Sequence, residues 1–309
     1  MAANLGKVGW IQDCGGFRGA YSVGFAEASW NDCRPSYIQG VSVGALNGAA
    51  IAQSQGLDML KDIWTNTVEI RGPTVLFRNR EPLLHCVTRK NSLFSDRGLL
   101  LLTRRLDIHE IARSEIELEV AVTNESKGNC LSFFSNRKQY DCRYFRKAVC
   151  ASASVMGLFP PVEIGASLYS DGQTFDLERA ASRDCETIFI FSNNHVHLSP
   201  PVRPETMSPV KRMRRAFNVA SAQETAKEIE VFLLRHRDFM LWPHNFLPSY
   251  IAKIPFRIKR RKRISQRRIV FFSPIRIIPG LAMMSFYRGD ITQAIGESKV
   301  VDQTIIKTL

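Results

Sequence analysis

The sequence predicts an α/β fold with a mainly parallel central sheet and helices on both of its faces. Apolar segments of strand length alternate with segments of helical length through the first 200 residues, which is typical of strands joined by helical crossovers. Two of these strands run directly into a glycine-containing turn that opens a helix. The 309 residues are 45% hydrophobic and 23% charged, as expected for a chain with a large buried core.

The first strand is predicted over residues 7–12, and the first helix over residues 19–29. Between them lies the segment Asp13 to Gly19, with consecutive glycines at the carboxyl end of the strand. Backbone N–H groups exposed there form an anion site, either for a nucleotide phosphate or for the oxyanion of an acyl-transfer intermediate. No Lys-Ser/Thr pair follows, and Cys14 replaces the first glycine of a G-x-G-x-x-G motif, so we favour an oxyanion site.

The second strand, residues 37–41, is followed by the turn Gly40-Val41-Ser42-Val43-Gly44 and a helix predicted over residues 43–55. A strand, a G-x-S-x-G turn and a helix together present a serine hydroxyl at the edge of a sheet, beside a helix N-terminus. This pattern predicts that Ser42 is a nucleophile, although an ordinary strand-to-helix loop can share it. The glycine segment upstream suits this interpretation because a nucleophile needs oxyanion donors.

The remaining elements follow from apolar periodicity. Residues 56–113 mix apolar and basic side chains, which is typical of helices that line or cover an apolar cleft. Strands are predicted at 115–123 and 131–134, a helix at 143–151, and a strand at 187–192 that closes the central sheet. Helices are expected from about residue 208 to 240, and a final strand at 268–272.

The positive charge is confined to the last third of the chain. Residues 1–200 hold 21 basic and 21 acidic side chains, whereas residues 201–309 hold 21 and 8, which accounts for the net charge of +13. The clusters Lys211–Arg215 and Arg257–Arg268 could contact an anionic membrane or nucleic acid, or form a solvated surface. We favour peripheral membrane contact and expect no nucleic-acid partner, because no basic segment has interleaved aromatic residues.

Cysteine and histidine usage predicts a protein without disulfides or metal. The seven cysteines are an odd number with no C-x-x-C pair, which favours thiols in a reducing compartment. His85, His109, His236 and His244 lack metal-ligand spacing, so neither a metal nor another cofactor is expected. No signal peptide or membrane-spanning helix is evident, so the expected location is cytoplasmic, with peripheral membrane association.

A third group of motifs follows in the middle of the chain: Ala151-Ser152-Ala153-Ser154, Phe159-Pro160-Pro161-Val162 and Tyr169-Ser170-Asp171-Gly172. Together with the glycine segment and the G-x-S-x-G turn, they make the chain resemble the patatin-like phospholipases. The motifs occur in that family's order, and the resemblance covers most of residues 7–192.

The resemblance implies a three-layer α/β/α catalytic domain at 7–200, with residues 201–309 as a basic, mainly helical extension packed on it. It also implies hydrolysis of lipid acyl esters, phospholipids in particular. Ser42 would be the nucleophile, Asp171 its base, and the amides of Gly15, Gly16 and Val43 the oxyanion donors. Arg18 would brace the loop or offset substrate phosphate charge. The other motif positions are Asp13, Cys14, Gly19, Gly40, Gly44 and Gly172.

Departures from the family pattern leave one alternative open, and the placement of two histidines leaves another. Cys14 stands where the family has glycine, and would be strained if that position requires a positive φ. Gln173 stands where the family has glycine or alanine. One alternative is therefore a catalytically weak or inactive lipid-binding protein. Another is a Ser-His-Asp esterase that uses His195 or His197, since both follow a predicted strand at the active-site edge of a parallel sheet.

Overall fold

The structure, a computed structural model, covers most of the first 193 residues and parts of the remainder. The described residues are 5–78, 81–88, 91–128, 130–137, 142–193, 223–236, 238–242, 267–274 and 284–306.

A mixed sheet of nine strands runs through the described part of the chain. In chain order the strands β1 to β9 are Val8–Gln12, Tyr37–Val41, Glu117–Asn124, Cys130–Ser135, Val162–Ile164, Ser167–Asp171, Thr187–Phe191, Phe239–Trp242 and Arg267–Phe272. The strands β8, β9, β7, β1, β2 and β3 lie side by side in this order and are parallel. The strands β4 and β6 are antiparallel to β3, and β5 is antiparallel to β6. The predicted mainly parallel sheet is therefore confirmed.

The sheet does not end at β7, as the sequence pattern had predicted. The predicted final strand, β9, pairs with β7 from Arg268 to Phe272, and β8 pairs with β9. β8 lies at the end of the range that was expected to be helical. The prediction was wrong because apolar periodicity shows that a segment is a strand but not which strand it pairs with.

The helices α1 to α8 are Ala20–Ser29, Val43–Ile51, Gly56–Asp62, Glu81–Val87, Arg97–Thr103, Ile108–Arg113, Cys142–Ser152 and Leu177–Ser182. Helix α9 comprises residues 223–235, and α10 is Asp290–Ile306. A 3₁₀ turn, Gly16–Gly19, precedes α1, and a π-helical segment, Ile63–Glu69, follows α3. No helix within the described ranges is long and apolar enough to cross a membrane.

Apolar side chains fill both faces of the sheet. Trp10 and Phe191 belong to one hydrophobic cluster, which includes side chains of α1, α2, α7 and α10. Ile11 and Ile190 belong to the cluster on the opposite face, with side chains of α8 and α9. Successive side chains of a strand point to opposite faces, so a strand that is apolar throughout needs a cover on both sides. This confirms the three-layer α/β/α arrangement.

Pairing along β3 brings two distant segments together. Ala121 pairs with Val41 at the end of β2, and the next residue, Val122, pairs with Asp171 at the end of β6. β4 pairs with both of these residues on one edge of β3. β2 and β6 therefore lie one after the other along the other edge of β3. Ser42, directly after β2, therefore lies at the level of Asp171.

Candidate active site

The turn between β2 and α2 holds Ser42 in a backbone conformation that is rare for a residue with a side chain. Its φ is 57° and its ψ is −125°. The turn is tight against β1, because a Cβ on Gly44 would lie 1.9 Å from the carbonyl oxygen of Gln12. Glycine is therefore required at that position, and the buried Ser42 side chain is directed into the site, where it contacts Asp171.

Ser152 fixes the backbone of the turn. Its hydroxyl accepts a hydrogen bond from the Ser42 N–H at 2.9 Å and donates one to the Ala121 carbonyl at 2.6 Å. The sequence motif contains Ser152 but gives no indication of this role. Since the N–H of Ser42 is engaged, the next amide along the chain is that of Val43, one of the first four of α2, which have no partner within the helix.

Asp171, the last residue of β6, is buried and tied to its surroundings through its backbone. Its N–H donates to the Ser154 carbonyl at 2.9 Å, and its carbonyl accepts from the Thr123 hydroxyl at 2.7 Å. Burial raises the pKa of the carboxyl group to about 6, although hydrogen bonds from the Ser42 side chain and the Gln173 N–H lower it. Such a carboxyl group can accept a proton near neutral pH.

The glycine segment after β1 adopts conformations that favour glycine. Gly15 has a φ of 153° and Gly16 a φ of 57°. Cys14 is not among the residues with positive φ, so the strain considered for it does not arise. Of the two departures from the family pattern, Gln173 is the one with a positive φ, at 61°. The sequence showed that Cys14 and Gln173 differ from the family pattern, but not which of the two residues has a positive φ.

Asp13 lies beneath this segment and is almost fully buried. Its carboxylate accepts hydrogen bonds from the Cys14 N–H at 2.8 Å, the Ser192 hydroxyl at 3.3 Å and the Thr225 hydroxyl at 3.4 Å. Burial raises its pKa to about 6, while hydrogen bonds from Cys14 and Ser192 and the nearby Arg18 charge lower it. Asp13 is thus a second carboxyl group with a raised pKa, placed behind the glycine segment.

The structure brings together the other motif positions as well. Gly19 packs against Val43, because a Cβ there would lie 2.6 Å from the Cγ2 atom of Val43. Gly40 and Gly172 are equally close to the backbones of Ala45 and Ala121. Arg18 is buried. The motif residues predicted for the site therefore lie in three neighbouring segments, at the carboxyl ends of β1, β2 and β6.

These residues open onto a cavity of about 450 Å³. Ser42, Asp171, Gly15, Gly16 and Val43 lie in its wall, and so do Cys14 and Arg18. The prediction that residues 56–113 line a cleft is confirmed. The apolar wall from this region consists of Ile63, Trp64, Val68, Leu76, Phe77, Leu99, Leu102 and Leu106. An apolar cavity with few convergent polar groups is typical of a site for a largely apolar ligand.

Histidines are not part of the cavity wall that the structure describes. His195, His197 and both basic clusters, apart from Arg267 and Arg268, lie outside the described residues. Within the described ranges, no group of three or more His, Cys, Asp or Glu side chains could hold a metal ion. No disulfide joins the cysteines whose side chains are described.

Comparison with known proteins identifies the family to which the chain is similar. The family model of the patatin-like phospholipases matches residues 12–176, a little over half of the chain. No curated protein matches the chain. Among solved structures, the crystal structure of VipD from Legionella pneumophila is similar, with a TM-score of 0.47 and 10% sequence identity. That similarity covers 99% of this chain and 68% of the VipD chain.

Proposed function

Because the chain belongs to the patatin-like phospholipase family, whose members are lipid acyl hydrolases, we propose that it is a serine hydrolase with a Ser42–Asp171 dyad. Its substrates are lipids with acyl ester bonds, phospholipids in particular. The observation that carries this proposal is the meeting of Ser42 and Asp171, 129 residues apart in sequence, in the wall of an apolar cavity.

The reaction begins when the Ser42 hydroxyl attacks the ester carbonyl carbon and Asp171 takes up its proton. A pKa of about 6 makes Asp171 a better base than an exposed aspartate and still leaves it ionised at neutral pH. When the tetrahedral intermediate collapses, Asp171 returns the proton to the alcohol oxygen of the leaving group. Water then attacks the acyl-enzyme and loses its proton to Asp171, which returns it to the Ser42 oxygen as the fatty acid leaves.

The amides of Gly15, Gly16 and Val43 stabilise the oxyanion of both intermediates in this scheme. Val43 is the first residue of α2, where the helix dipole adds a positive electrostatic potential. Gly15 and Gly16 also lie in the cavity wall, with no side chain between their amides and the substrate. Arg18 contributes positive charge in the same wall, which suits a substrate with a phosphate group.

The apolar part of the cavity holds the acyl chain in this proposal. Its wall is formed by side chains of the π-helical segment, α5 and the loop before α4. Pockets for small ligands commonly have volumes of roughly 300–1,000 Å³, and the cavity volume of about 450 Å³ lies within that range. Removing the acyl chain from water there favours binding of long-chain esters.

The experiment that tests this proposal combines a fluorophosphonate probe with an ester hydrolysis assay. Wild type should be labelled and should hydrolyse phospholipid, whereas Ser42→Ala should do neither. Asp171→Asn should lower kcat by about 10²-fold or more, because it cannot accept the proton. Ser29→Ala is the matched control, since Ser29 is a buried serine outside the cavity wall. Labelling of Ser42→Ala equal to that of wild type would contradict the assignment of the nucleophile.

A further pair of substitutions decides between the dyad and a histidine triad. The double substitution His195→Ala and His197→Ala should keep most of the activity, because the dyad needs no histidine. A loss of several orders of magnitude in kcat, in a folded variant, would replace the dyad by a Ser-His-Asp triad.

A further inference from the structure

Asn193 is a fully buried residue just after β7, beyond the part of the chain that matches the family model. Its side-chain amide donates two hydrogen bonds to the glycine segment. Nδ2 lies 2.8 Å from the carbonyl oxygen of Asp13 and 3.2 Å from that of Cys14. Both N–H groups of the Asn193 side chain are therefore used to hold backbone carbonyls of one loop.

The orientation of the Asn193 amide follows from its partners. Its Oδ1 atom accepts a hydrogen bond from the Ser22 hydroxyl at 2.9 Å, in the first turn of α1. Backbone carbonyls can only accept hydrogen bonds, so Nδ2 must face Asp13 and Cys14. Ser22, itself fully buried, satisfies the opposite side of the amide.

These bonds determine where the Gly15 N–H points. The Cys14 carbonyl and the Gly15 N–H belong to one planar trans peptide unit, in which they point in opposite directions. Because Asn193 holds the carbonyl, the N–H must point away from Asn193. The contact is also steric, since a Cβ on Gly15 would lie 2.6 Å from the Cβ of Asn193. Gly15 itself lies in the wall of the cavity.

We propose that Asn193 is a positioning residue for the oxyanion site: it holds the Asp13 and Cys14 carbonyls so that the Gly15 amide is directed at the substrate oxygen. This inference rests on the proposed function of the same site. Asn193 touches neither substrate nor reacting atoms. It acts on the rate because an oxyanion donor stabilises the transition state only if it is oriented before the reaction.

The test is the isosteric substitution Asn193→Asp, which replaces the donating amide by a carboxylate that faces two carbonyls. For a short activated ester, kcat should fall by about 10²-fold or more, as for the loss of an oxyanion donor. KM should change by less than about threefold, because ground-state binding does not depend on this amide. Ser22→Ala, which removes only the partner of Oδ1, should lower kcat by a smaller factor.

Asn136 offers a matched control. It is also buried, and its Nδ2 bridges two backbone carbonyls, those of Ile111 at 2.8 Å and Ile116 at 3.0 Å, while its Oδ1 accepts from the Leu118 N–H. Asn136→Asp makes the same chemical change away from the cavity wall. It should lower Tm but leave kcat within about threefold of wild type. Equal losses of kcat in Asn136→Asp and Asn193→Asp would reduce Asn193 to a structural role.

A second measurement separates this inference from the proposed function. With ¹⁵N-glycine labelling, the Gly15 amide resonance should move in Asn193→Asp and in Ser22→Ala, but not in Asn136→Asp. The Gly15 resonance can be measured even if wild type hydrolyses no ester. In that case the proposed function fails, but the positioning of Gly15 by Asn193 is still tested. An unmoved Gly15 resonance, or an unchanged kcat in a folded Asn193→Asp, would overturn the inference. If Asn193→Asp does not fold, kcat and the Gly15 resonance of Ser22→Ala test the inference instead.

Discussion

At the scale of single residues, the site contains several features that are unfavourable for the stability of the fold. Ser42 and Gln173 have positive φ without being glycine, and Asp13 and Asp171 are buried carboxyl groups with raised pKa. Such features destabilise a fold by about one to a few kcal/mol each and tend to cluster at functional sites. Burial of Asp171 is unfavourable for folding, but it also gives the carboxyl group the raised pKa that the proposed reaction needs.

Substituting Asp171 should therefore stabilise the protein in a pH-dependent way. The folded Asp171 has a pKa of about 6, higher than that of an unfolded aspartate, so its favourable contribution is complete below about pH 4 and is lost as the pH rises through about 6. Asp171→Asn should match wild type near pH 4 and be more stable at pH 7.5, by on the order of 2–3 kcal/mol. Urea unfolding at both pH values measures this difference.

The control for this experiment is Asp58→Asn, which changes an exposed aspartate of α3 and should show no comparable gain at pH 7.5. Asp13 is intact in all three proteins, so its own titration cancels in the comparison. A stability gain for Asp171→Asn that is equal at both pH values would contradict the raised pKa.

At the scale of elements, the region between α2 and β3 forms much of the cavity wall. Its helices are short, and two of them, the π-helical segment and α5, contribute apolar side chains to the cavity wall. In α5, Leu99 and Leu102 are three residues apart, which places them on one face, and both are buried in the cavity wall. Leu101, one residue before Leu102, does not line the cavity. This single helix therefore offers both a cavity position and a matched position outside it.

Enlarging the side chain at Leu102 should shorten the acyl chain that the cavity accepts. Leu102→Trp places extra bulk in the space proposed for the chain, so the kcat/KM ratio of a long-chain to a short-chain ester should fall about tenfold. Leu101→Trp should change that ratio by less than about twofold. Because added bulk costs about 1–3 kcal/mol of stability, both variants are assayed well below their Tm. Equal losses for both ester lengths in Leu102→Trp would contradict the acyl site.

At the scale of the whole molecule, the last third of the chain completes the sheet. β9 pairs with β7, and α10 packs against α1 so closely that a Cβ on Gly24 would lie 2.0 Å from the Ser298 hydroxyl oxygen. We therefore propose that residues 201–309 fold as part of the same unit as residues 7–200. The excess positive charge of residues 201–309 belongs to the same unit in this proposal.

We propose that this charge brings the protein to anionic membranes. Replacing Lys259 to Arg263 with neutral residues should weaken sedimentation with phosphatidylserine-containing vesicles, since each basic residue near such a surface contributes about 1 kcal/mol. Wild-type binding should also weaken between about 0.05 and 0.5 M salt, because the Debye length shortens. Turnover of a short soluble ester should stay unchanged.

The matched control neutralises five exposed basic residues from the charge-balanced part of the chain and should leave vesicle binding largely intact. These residues are Arg71, Arg97, Arg104, Arg113 and Lys127. Binding that does not respond to salt, or that is equal for wild type and the Lys259–Arg263 variant, would show that the cluster is only a solvated surface.

The sequence alone was sufficient to predict the features that local backbone geometry imposes. The glycine segment, the G-x-S-x-G turn and the buried strands are visible in it because tight turns and apolar strands demand particular residue types at short spacing. For the same reason, the turns themselves singled out Ser42, Gly15 and Gly16 as candidate site residues, whereas Asp171 followed only from the resemblance to the patatin-like phospholipases.

Only the tertiary structure decided how distant segments meet. The register on β3 that sets Asp171 beside Ser42, the placement of β8 and β9 beyond β7, and the bonds from Asn193 to the glycine segment all join residues far apart in sequence. No local pattern encodes such pairings, because they depend on which arrangement buries the most apolar surface and satisfies the buried polar groups. The physical environment of the site, including its cavity and the raised pKa of Asp171, exists only once those segments have packed together.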